Sequence, residues 1–320
     1  GSGTDFIQLV TRQASYLTGT KYALSGEKLD ILSQFVRNTI LPVIRGKRMN
    51  FSTLGRGITR ENSTNQSGFA SILAMLKEVD SANAVEYENA IKRLKGEEAA
   101  SYAVPTLQTH YYRGEYTLQQ RSEYSFDVRM VSSRMARSEY DIRENKQGFF
   151  LSEGATGIYV DGEEYGSILP LWNWKKIPGI TMPDLTVMRR ADSYIFSGLS
   201  PFAGGVTDGR YGVTAFDMIN KEELFAYDDD DGYDGTPNNN GTRLPALNFG
   251  AKKSWFIFDK EIVCLGAGIY SGHDESVFTT VNQCRQAGEA IVASGSNEQN
   301  IAKGVSTHDN VDWVLNDKVA

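Results

Sequence analysis

The feature that most constrains the fold is a change in sequence pattern near residues 102–105. From residue 5 to about residue 95, apolar residues recur three or four positions apart, which is the spacing of a buried helix face. Beyond residue 105, strand-like runs of four to eight residues alternate with turns rich in Gly, Asn and Asp. The sequence therefore predicts an α+β chain, in which a helical part precedes a large antiparallel β-sandwich.

The helical part carries three apolar stripes. They comprise Ile31, Leu32, Phe35, Val36 and Ile40; Phe69, Ile72, Leu73, Met75, Leu76 and Val79; and Tyr87 with Ala90 to Leu94. Ser25, three residues before Lys28, is only half of a capping signal. Because three stripes are too few for a finished bundle, we expect them to pack on the second domain or on a segment absent from the chain. We place the helical domain at residues 1–98 and the sandwich at residues 99–320.

Four runs show the strand pattern: Ser125–Val131, Gly157–Val160, Ser254–Cys264 and Val311–Val314. Each is rich in strand-forming residues and is bounded by turn formers. No capping pattern separates the last run from Ala320, so we expect the sandwich to be incomplete at its C-terminus.

The stretch from Leu169 to Asp184 contains three prolines, one glycine and two tryptophans in sixteen residues. Because proline breaks both helices and central strands, this composition predicts a rigid crossing segment with a turn at Pro178 and Gly179. If the segment is extended, Trp172 and Trp174 share one side. We interpret the stretch as a packed turn between two sheets.

Composition narrows the classes of function. With 33 basic and 40 acidic residues, the net charge of −7 argues against a nucleic-acid or anionic-membrane surface. No apolar run approaches the ~18 to 20 residues that cross a bilayer. The start, Gly1-Ser2-Gly3-Thr4, lacks a signal-peptide pattern and is typical of a tag remnant or a cut chain. Cys264 and Cys284 form one bridge or none, and the three histidines include no pair spaced for zinc.

The loop from Tyr227 to Thr242 carries four successive aspartates and, further on, three asparagines. An EF-hand calcium loop needs an acid at its first position and a glutamate at its last. Tyr227 stands where the first acid belongs, and no glutamate occupies the last position. We therefore favour a solvated hairpin tip over a metal site.

Two groups of arginines are candidates for anion recognition. Arg56 and Arg60 lie four residues apart, so one helical turn or a compact loop makes both converge on one anion. The second group lies in a predicted strand–turn–strand segment and consists of Arg129, Arg134, Arg137 and Glu139. An acid beside arginines stays ionised and orients them, which suits recognition of a carboxylate or sulfate. A surface ion-pair cluster without function is the alternative.

Five motifs resemble those of family 8 polysaccharide lyases, which include chondroitin AC, hyaluronate and xanthan lyases. In chain order they are Gly55–Arg60 (Gly-Arg-Gly-Ile-Thr-Arg), Trp172–Thr181 (Trp-Asn-Trp-Lys-Lys-Ile-Pro-Gly-Ile-Thr), Ala215–Met218 (Ala-Phe-Asp-Met), Lys253–Gly266 (Lys-Ser-Trp-Phe-Ile-Phe-Asp-Lys-Glu-Ile-Val-Cys-Leu-Gly) and Thr279–Gln283 (Thr-Thr-Val-Asn-Gln). They run in family order across most of the chain.

This resemblance implies a toroid of paired helices, then a β super-sandwich of the galactose mutarotase-like type, with the active cleft between them. The implied reaction is β-elimination at a uronic acid: the carboxylate is neutralised, the C5 proton is removed and the 4-linked oxygen leaves. In the family an asparagine neutralises the carboxylate, a histidine and a tyrosine transfer protons, and two arginines and a glutamate support them.

Only part of that set is expected in this chain. Arg56 and Arg60 match the arginine pair, and we assign Glu139 as the supporting glutamate. The polar residues expected to contact substrate besides the arginine pair are Asn62, Arg137 and Asn145. The asparagine, histidine and tyrosine belong to helices that would precede Asp5, and His110, His273 and His308 lie in the wrong region to replace the base. We therefore expect a truncated chain that is inactive alone.

No metal or cofactor is expected. Some relatives carry acids around the Trp172 turn that hold a divalent cation, whereas this chain has Asn173 and Lys175 and leaves Asp184 alone. The expected partner is an anionic polysaccharide bound by a secreted or periplasmic monomer, and neither nucleic acid nor membrane. Two alternatives stay open: a non-catalytic carbohydrate-binding or structural module, and a lyase of xanthan or another uronate polymer.

Overall fold

The structure is a computed structural model that describes residues 2–139, 144–185, 197–221 and 246–320. Its first 95 residues contain the α-helices, which are α1 (Ser2–Leu17), α2 (Glu27–Phe35), α3 (Phe69–Val79) and α4 (Ala84–Lys95). Among the described residues, no helix combines the length and the apolarity needed to cross a membrane.

The predicted stripes supply most of the buried residues of these helices, but Ile31 is 61% exposed, so its place in the first stripe was wrong. The second stripe supplies the buried residues of α3 except Ala70, although its own Met75 and Val79 are half-buried, and the third supplies those of α4. The first continues past α2 into a π-helical turn at Val36–Ile40, which buries Val36 and Ile40. Ser25 does not cap α2. The N-cap position is taken by Gly26, so no side-chain hydrogen bond caps this helix. Helix α4 ends at Gly96, whose φ of 71° is readily adopted only by glycine.

Strands follow from residue 44 onward. They are β1 (Ile44–Arg45), β2 (Arg48–Met49), β3 (Leu107–Tyr111), β4 (Tyr116–Gln120), β5 (Ser125–Arg129), β6 (Ala155–Tyr159), β7 (Thr181–Pro183), β8 (Ala203–Thr207), β9 (Gly212–Asn220), β10 (Phe249–Ile257), β11 (Ile262–Ser271), β12 (Val277–Thr279), β13 (Ala290–Ser294), β14 (Asn297–Asn300) and β15 (Trp313–Asn316). The two four-stranded sheets have the orders β3-β4-β5-β6 and β11-β10-β9-β8, and every pairing in them is antiparallel.

One strand prediction is wrong. The run Ser254–Cys264 is a hairpin rather than a strand: β10 ends at Ile257, β11 begins at Ile262, and the Phe258 N–H donates to the Glu261 carbonyl (2.9 Å). The polar residues Asp259 and Lys260 occupy its tip, where the chain can turn in contact with solvent.

The Leu169–Asp184 stretch is a packed turn, but it is not extended at its start. A 3₁₀-helix at Leu169–Leu171 precedes Trp172, and the Ile180 N–H donates to the Ile177 carbonyl across Pro178 and Gly179 (3.2 Å). Trp172 is buried, and its ring lies 5.6 Å from that of Trp174, edge to face. Strand β7 then pairs with β12.

Residues 44–60 lie between α2 and α3 and pack against the sandwich. Arg45 is buried and donates hydrogen bonds to the carbonyls of Val160 (2.8 Å), Arg121 (3.0 Å) and Ser122 (2.6 Å). The 3₁₀-helix Phe51–Thr53 follows and packs on β5 and β6. These buried contacts fix the position of the next residues, which include Arg56 and Arg60.

The contacts of Asn50, Phe51 and Ser52 with the sandwich form what we call the inner seam. Asp127 Oδ2 accepts hydrogen bonds from Asn50 Nδ2 (2.9 Å), Ser52 Oγ (2.8 Å), Tyr116 OH (2.8 Å) and Tyr159 OH (3.3 Å). The Phe51 ring lies 4.9 Å from the Trp172 ring, edge to face. The inner seam therefore joins polar and aromatic contacts in one buried region.

Candidate functional site

The two motif arginines converge on one carboxylate, as their spacing predicts. Arg56 lies in the 3₁₀-helix Gly55–Thr59, and Arg60 follows it in extended conformation. Arg60 Nε and Nη2 donate to the two oxygens of Glu144 (2.7 and 2.8 Å), and Arg56 Nε lies 3.1 Å from Glu144 Oε2. The anion between the arginines is thus a side chain of the sandwich part.

Glu139 holds the same loop from a second direction. Its Oε2 accepts a hydrogen bond from the backbone N–H of Arg56 (3.1 Å), and its Oε1 lies 3.9 Å from Arg56 Nη1. Gly55, with φ of 57°, lies so close to this carboxylate that a β-carbon would collide with it. We call Arg56, Arg60, Glu139 and Glu144 the outer cluster.

The ion pair between Arg60 and Glu144 favours the charged form of both side chains. The hydrogen bond from Arg60 lowers the pKa of Glu144, and the same bond raises the pKa of Arg60. The Arg60 side chain is 56% exposed, so its guanidinium remains open to a solvent-borne anion. Two cations fixed around one carboxylate are suited to bind a second carboxylate or a sulfate.

The three other residues predicted to contact substrate differ in how far they are buried. Asn145 is buried, and its Nδ2 donates to the Glu139 carbonyl (2.8 Å), so it steadies the outer cluster. Asn62 is exposed, with φ of 53°. Arg137 is almost fully buried between Glu153 (3.2 Å) and Asn220 (3.0 Å) and stacks on Phe149 (4.7 Å).

The prediction of a strand, a turn and a strand for the segment from Arg129 to Glu139 is wrong in its second half. Strand β5 ends at Arg129, and the residues up to 139 form turns and an isolated bridge at Ala136. The buried carboxylate of Glu115 accepts hydrogen bonds from the Ser132 hydroxyl and from Arg134 Nη2 (2.6 Å), and the Met135 N–H donates to the Ser132 carbonyl (3.2 Å). These contacts turn the chain away from the sheet.

A cavity of about 350 Å³ adjoins the outer cluster. Ser52 and Gly55 line it from the helical side, and Arg129, Glu139 and Asn145 line it from the sandwich side. It lies between the outer cluster and the inner seam, because Glu139 belongs to the former and Ser52 to the latter.

Glu144 is the site residue that sequence reasoning missed. It stands directly before Asn145, which was expected to contact substrate, and its carboxylate meets two arginines more than 80 residues earlier in the chain. The available signal was a second glutamate five residues after Glu139, but only the fold decides which of the two lies between the guanidinium groups.

Among the described residues, the turn around Trp172 offers no set of metal ligands. Lys175 Nζ lies 3.6 Å from Asp184 Oδ1, so an ammonium already neutralises that carboxylate. Within the described ranges no three His, Cys, Asp or Glu side chains gather as metal ligands. The acidic loop from Tyr227 to Thr242 lies outside the described residues. Both cysteines are free thiols, and Cys264 is exposed.

Comparisons with known proteins agree with this architecture. Sequence profiles of polysaccharide lyase family 8 match the chain, the N-terminal α-helical domain at residues 1–95 and the super-sandwich domain at residues 106–320. A chondroitinase-AC of Pedobacter heparinus is 40% identical over 294 residues, covering 92% of this chain and 38% of that protein. A hyaluronate lyase of Enterococcus faecalis is 26% identical over 289 residues, covering 79% of this chain and 27% of that protein.

Solved structures of polysaccharide lyases superpose on this chain. A chondroitinase AC lyase superposes with a TM-score of 0.78 at 39% identity, over 92% of this chain and 40% of that one. A xanthan lyase of Paenibacillus superposes with a TM-score of 0.75 at 19% identity and shares the fold. The chain thus spans less than half the length of each of these relatives.

The helical part and the antiparallel sandwich match the two domain models of a polysaccharide lyase, which identifies the class of the chain. The chain belongs to polysaccharide lyase family 8, and both the resemblance and the predicted fold class are confirmed.

Proposed function

We propose that the chain is part of a lyase that cleaves chondroitin or hyaluronan by β-elimination, and that it supplies the arginine side of the cleft. The observation that carries this proposal is the convergence of Arg56 and Arg60 on one carboxylate at the junction of the two parts. The proposed domains are residues 1–98 and 99–320. We also propose a secreted or periplasmic monomer that needs no cofactor, since its polymer substrate is extracellular.

The chemistry explains why this cluster suits the reaction. Removing the C5 proton of a uronate builds negative charge next to a carboxylate that is already charged, so the reaction needs cations or hydrogen-bond donors there. Arg56 and Arg60 supply both, and Glu139 fixes Arg56 through its backbone N–H and its guanidinium. In this proposal the arginines bind and neutralise the substrate, and Glu139 is a positioning residue.

Proton transfer is proposed to come from groups outside the outer cluster. The described hydrogen bonds of His110, His273 and His308 lead to Thr117, Asn248, Gln299 and Ser306, and none leads to the outer cluster. This placement favours a second candidate function, in which the chain alone binds an anionic glycan without cleaving it. A third candidate is action on xanthan or another uronate polymer.

Binding and cleavage separate these candidates. We expect the chain to bind chondroitin sulfate oligosaccharides in calorimetric titrations and Arg56→Ala and Arg60→Ala each to weaken binding by about tenfold, the loss of one charge-assisted contact. Arg37→Ala is the matched control, since Arg37 pairs with Glu86 on the helices (2.6 Å) and lies outside the outer cluster. Equal losses in all three variants would show that binding depends on net charge and not on this site.

Cleavage is followed by the ultraviolet absorbance of the unsaturated uronate, with chondroitin, hyaluronan and xanthan in parallel. We expect no product from the chain alone. We expect product when the segments of the Pedobacter heparinus chondroitinase-AC that this chain does not match are fused to it. Product from the chain alone would refute the assignment of proton transfer to other segments, and product from xanthan alone would favour the third candidate.

A further inference from the structure

A buried ion pair lies at the base of the loop that carries the carboxylates of the outer cluster. The side chains of Arg137 and Glu153 are each 1% exposed, and Arg137 Nε lies 3.2 Å from Glu153 Oε1. Asn220, the last residue of β9, is fully buried and contacts both. Its Oδ1 accepts a hydrogen bond from Arg137 Nη1 (3.0 Å), and its Nδ2 donates to Glu153 Oε2 (3.2 Å). We call these three residues the buried link.

The buried link closes the loop between residues 137 and 153 at its base. The Ser152 hydroxyl also donates to the Arg137 carbonyl, so the backbone is held there as well as the side chains. The chain thus departs from the buried link and returns to it, as in an Ω-loop. Glu139 lies on this loop, directly after its base, and Glu144 lies further along it.

Stability alone does not account for the buried link. Replacing a buried ion pair by apolar side chains of similar volume is often neutral or stabilising, because both charges lose their water on burial. A buried network of charges does fix one arrangement, since moving any member leaves a desolvated charge without its partner. The buried link therefore sets the direction in which the loop leaves the end of β9.

The outer cluster is poorly suited to fix this geometry by itself. Its ion pairs are exposed to solvent, and exposed pairs contribute little free energy. Yet Glu139 approaches closely, since its Oε2 reaches the backbone N–H of Arg56 (3.1 Å) and leaves no room for a β-carbon on Gly55. Such a placement requires support from the buried end of the loop.

We propose that Arg137, Glu153 and Asn220 are positioning residues for the proposed lyase, which hold the loop so that Glu139 meets Arg56. This role rests on the proposed function, in which Arg56 binds and neutralises the uronate. Arg137 acts on the substrate through Glu139 and not by direct contact, because its guanidinium is buried between its two partners.

Amide hydrogen exchange, measured by NMR, tests the placement without any glycan. In Asn220→Ala we expect the Arg56 amide to exchange about tenfold faster, because its acceptor on Glu139 is no longer held in place. The Phe51 amide, which donates to the Tyr159 hydroxyl (3.2 Å) in the inner seam, should exchange at the parent rate. An unchanged Arg56 rate, or equal acceleration of both amides, would overturn the positioning role.

Thr214→Ala is the matched control, because Thr214 lies on the same strand and is equally buried. Its hydroxyl accepts a hydrogen bond from the Thr117 hydroxyl (2.9 Å) and donates to the Gly204 carbonyl (2.8 Å), so the variant also loses two hydrogen bonds. It lies roughly 20 Å along the strand from Asn220. We expect it to leave the exchange rate of the Arg56 amide unchanged.

Glycan affinity tests whether this placement serves the proposed function. In calorimetric titrations with a chondroitin sulfate oligosaccharide, we expect Asn220→Ala to weaken binding about fivefold in the parent chain. The loss should be less than about 1.5-fold in a Glu139→Ala background, where the loop has no carboxylate to place. Arg137→Lys should give an intermediate loss, because it keeps the charge but not the planar fork. An equal loss from Asn220→Ala in both backgrounds would refute action through Glu139.

The two measurements separate the positioning role from the function on which it rests. If the parent chain binds no oligosaccharide while the Arg56 amide still responds to Asn220→Ala, the proposed function fails and the placement by the buried link stands. If the parent chain binds and Asn220→Ala changes neither affinity nor exchange rate, the proposed function stands and the positioning role is wrong.

Discussion

Residues 50–60 contact the sandwich in two regions that differ in almost every physical respect. The inner seam directs four hydrogen bonds to the fully buried Asp127 carboxylate. The outer cluster makes its ion pairs at the surface, where the Arg60 and Glu144 side chains are 56% and 29% exposed. Both join the same short segment to the same domain.

This difference shows how one part of residues 50–60 can stabilise the fold while another part remains available for function. Buried hydrogen bonds and ring contacts are strongly stabilising as a set, because removing one member leaves desolvated groups without partners. Exposed ion pairs contribute little to stability, because water and salt screen them. The inner seam is thus suited to hold the junction, and we propose that the outer cluster exchanges its internal carboxylate for a ligand.

The largest expected effect comes from the aromatic end of the inner seam. Trp172→Ala should lower the free energy of unfolding by about 4 kcal/mol, because the indole is buried against Phe51 and a cavity would replace it. Its Nε1–H also donates to the Gln283 carbonyl (3.1 Å), which would lose its partner. Urea denaturation followed by circular dichroism measures this change.

Trp313→Ala supplies the comparison, since Trp313 on β15 is 37% exposed. We expect it to cost less than half as much, because a partly exposed side chain gains less from burial. Equal losses in the two variants would mean that the Phe51–Trp172 contact does not hold the junction.

The next largest effect should be a dependence of stability on pH, which has opposite signs in the inner seam and in the outer cluster. Burial raises the pKa of Asp127 to about 6, above its ordinary 3.8, although the hydrogen bonds from Ser52, Tyr116 and Asn50 oppose this shift. Because the folded pKa is the higher one, the stabilisation from protonated Asp127 is complete below about pH 4 and is lost as pH rises through about 6. Asp127→Asn removes this dependence while keeping an acceptor oxygen, and its amide nitrogen can take the place of Oδ1, which lacks a partner.

As pH rises from about 4 to about 7, we therefore expect the free energy of unfolding of Asp127→Asn to increase by about 2 to 3 kcal/mol relative to that of the parent chain. Denaturation series at several pH values measure this gap, and Asp309→Asn, at an exposed aspartate, should show none. Glu144 behaves oppositely, because its lowered pKa gives a stabilisation that is present above its unfolded value and is lost on acidification. A gap that stays constant for Asp127→Asn would place its pKa near the ordinary value.

Sequence patterns predicted the elements in which burial is periodic. The stripe Phe69, Ile72, Leu73 and Leu76 is the buried face of α3, because a helix packed on one side needs apolar residues at that spacing. Strand β5 shows the limit of the same logic: Phe126 and Val128 alternate with Asp127 and Arg129, which marks the polar side as solvent-facing. That side is covered by Asn50 and Ser52, about 75 residues earlier in the chain, so the inner seam could not be found from local pattern.

The candidate site was predictable in part for a related reason. The spacing of Arg56 and Arg60 is local, so their convergence followed from geometry. The identity of the carboxylate between them depends on how residues 139–145 approach, and Glu139 and Glu144 are chemically equivalent in sequence. Tertiary contact, and not residue type, assigns one to the Arg56 backbone and the other to both guanidinium groups.

The smallest expected change in stability is at Glu144. Glu144→Gln should alter the free energy of unfolding by less than about 1 kcal/mol, because its ion pairs are exposed to solvent. The same variant should bind a sulfated oligosaccharide about threefold more tightly, since Arg56 and Arg60 lose the internal carboxylate that competes for them. Urea denaturation and calorimetric titration measure the two quantities on one preparation.

Glu86→Gln is the control, because Glu86 forms a half-exposed pair with Arg37 (2.6 Å) that lies outside the outer cluster. It should match Glu144→Gln in stability and leave glycan affinity unchanged. Weaker binding by Glu144→Gln would mean that the carboxylate holds the two guanidinium groups in their binding geometry, and the outer cluster would then be a preorganised site and not one that exchanges its anion. A loss of several kcal/mol in stability would instead make the outer cluster a second structural seam.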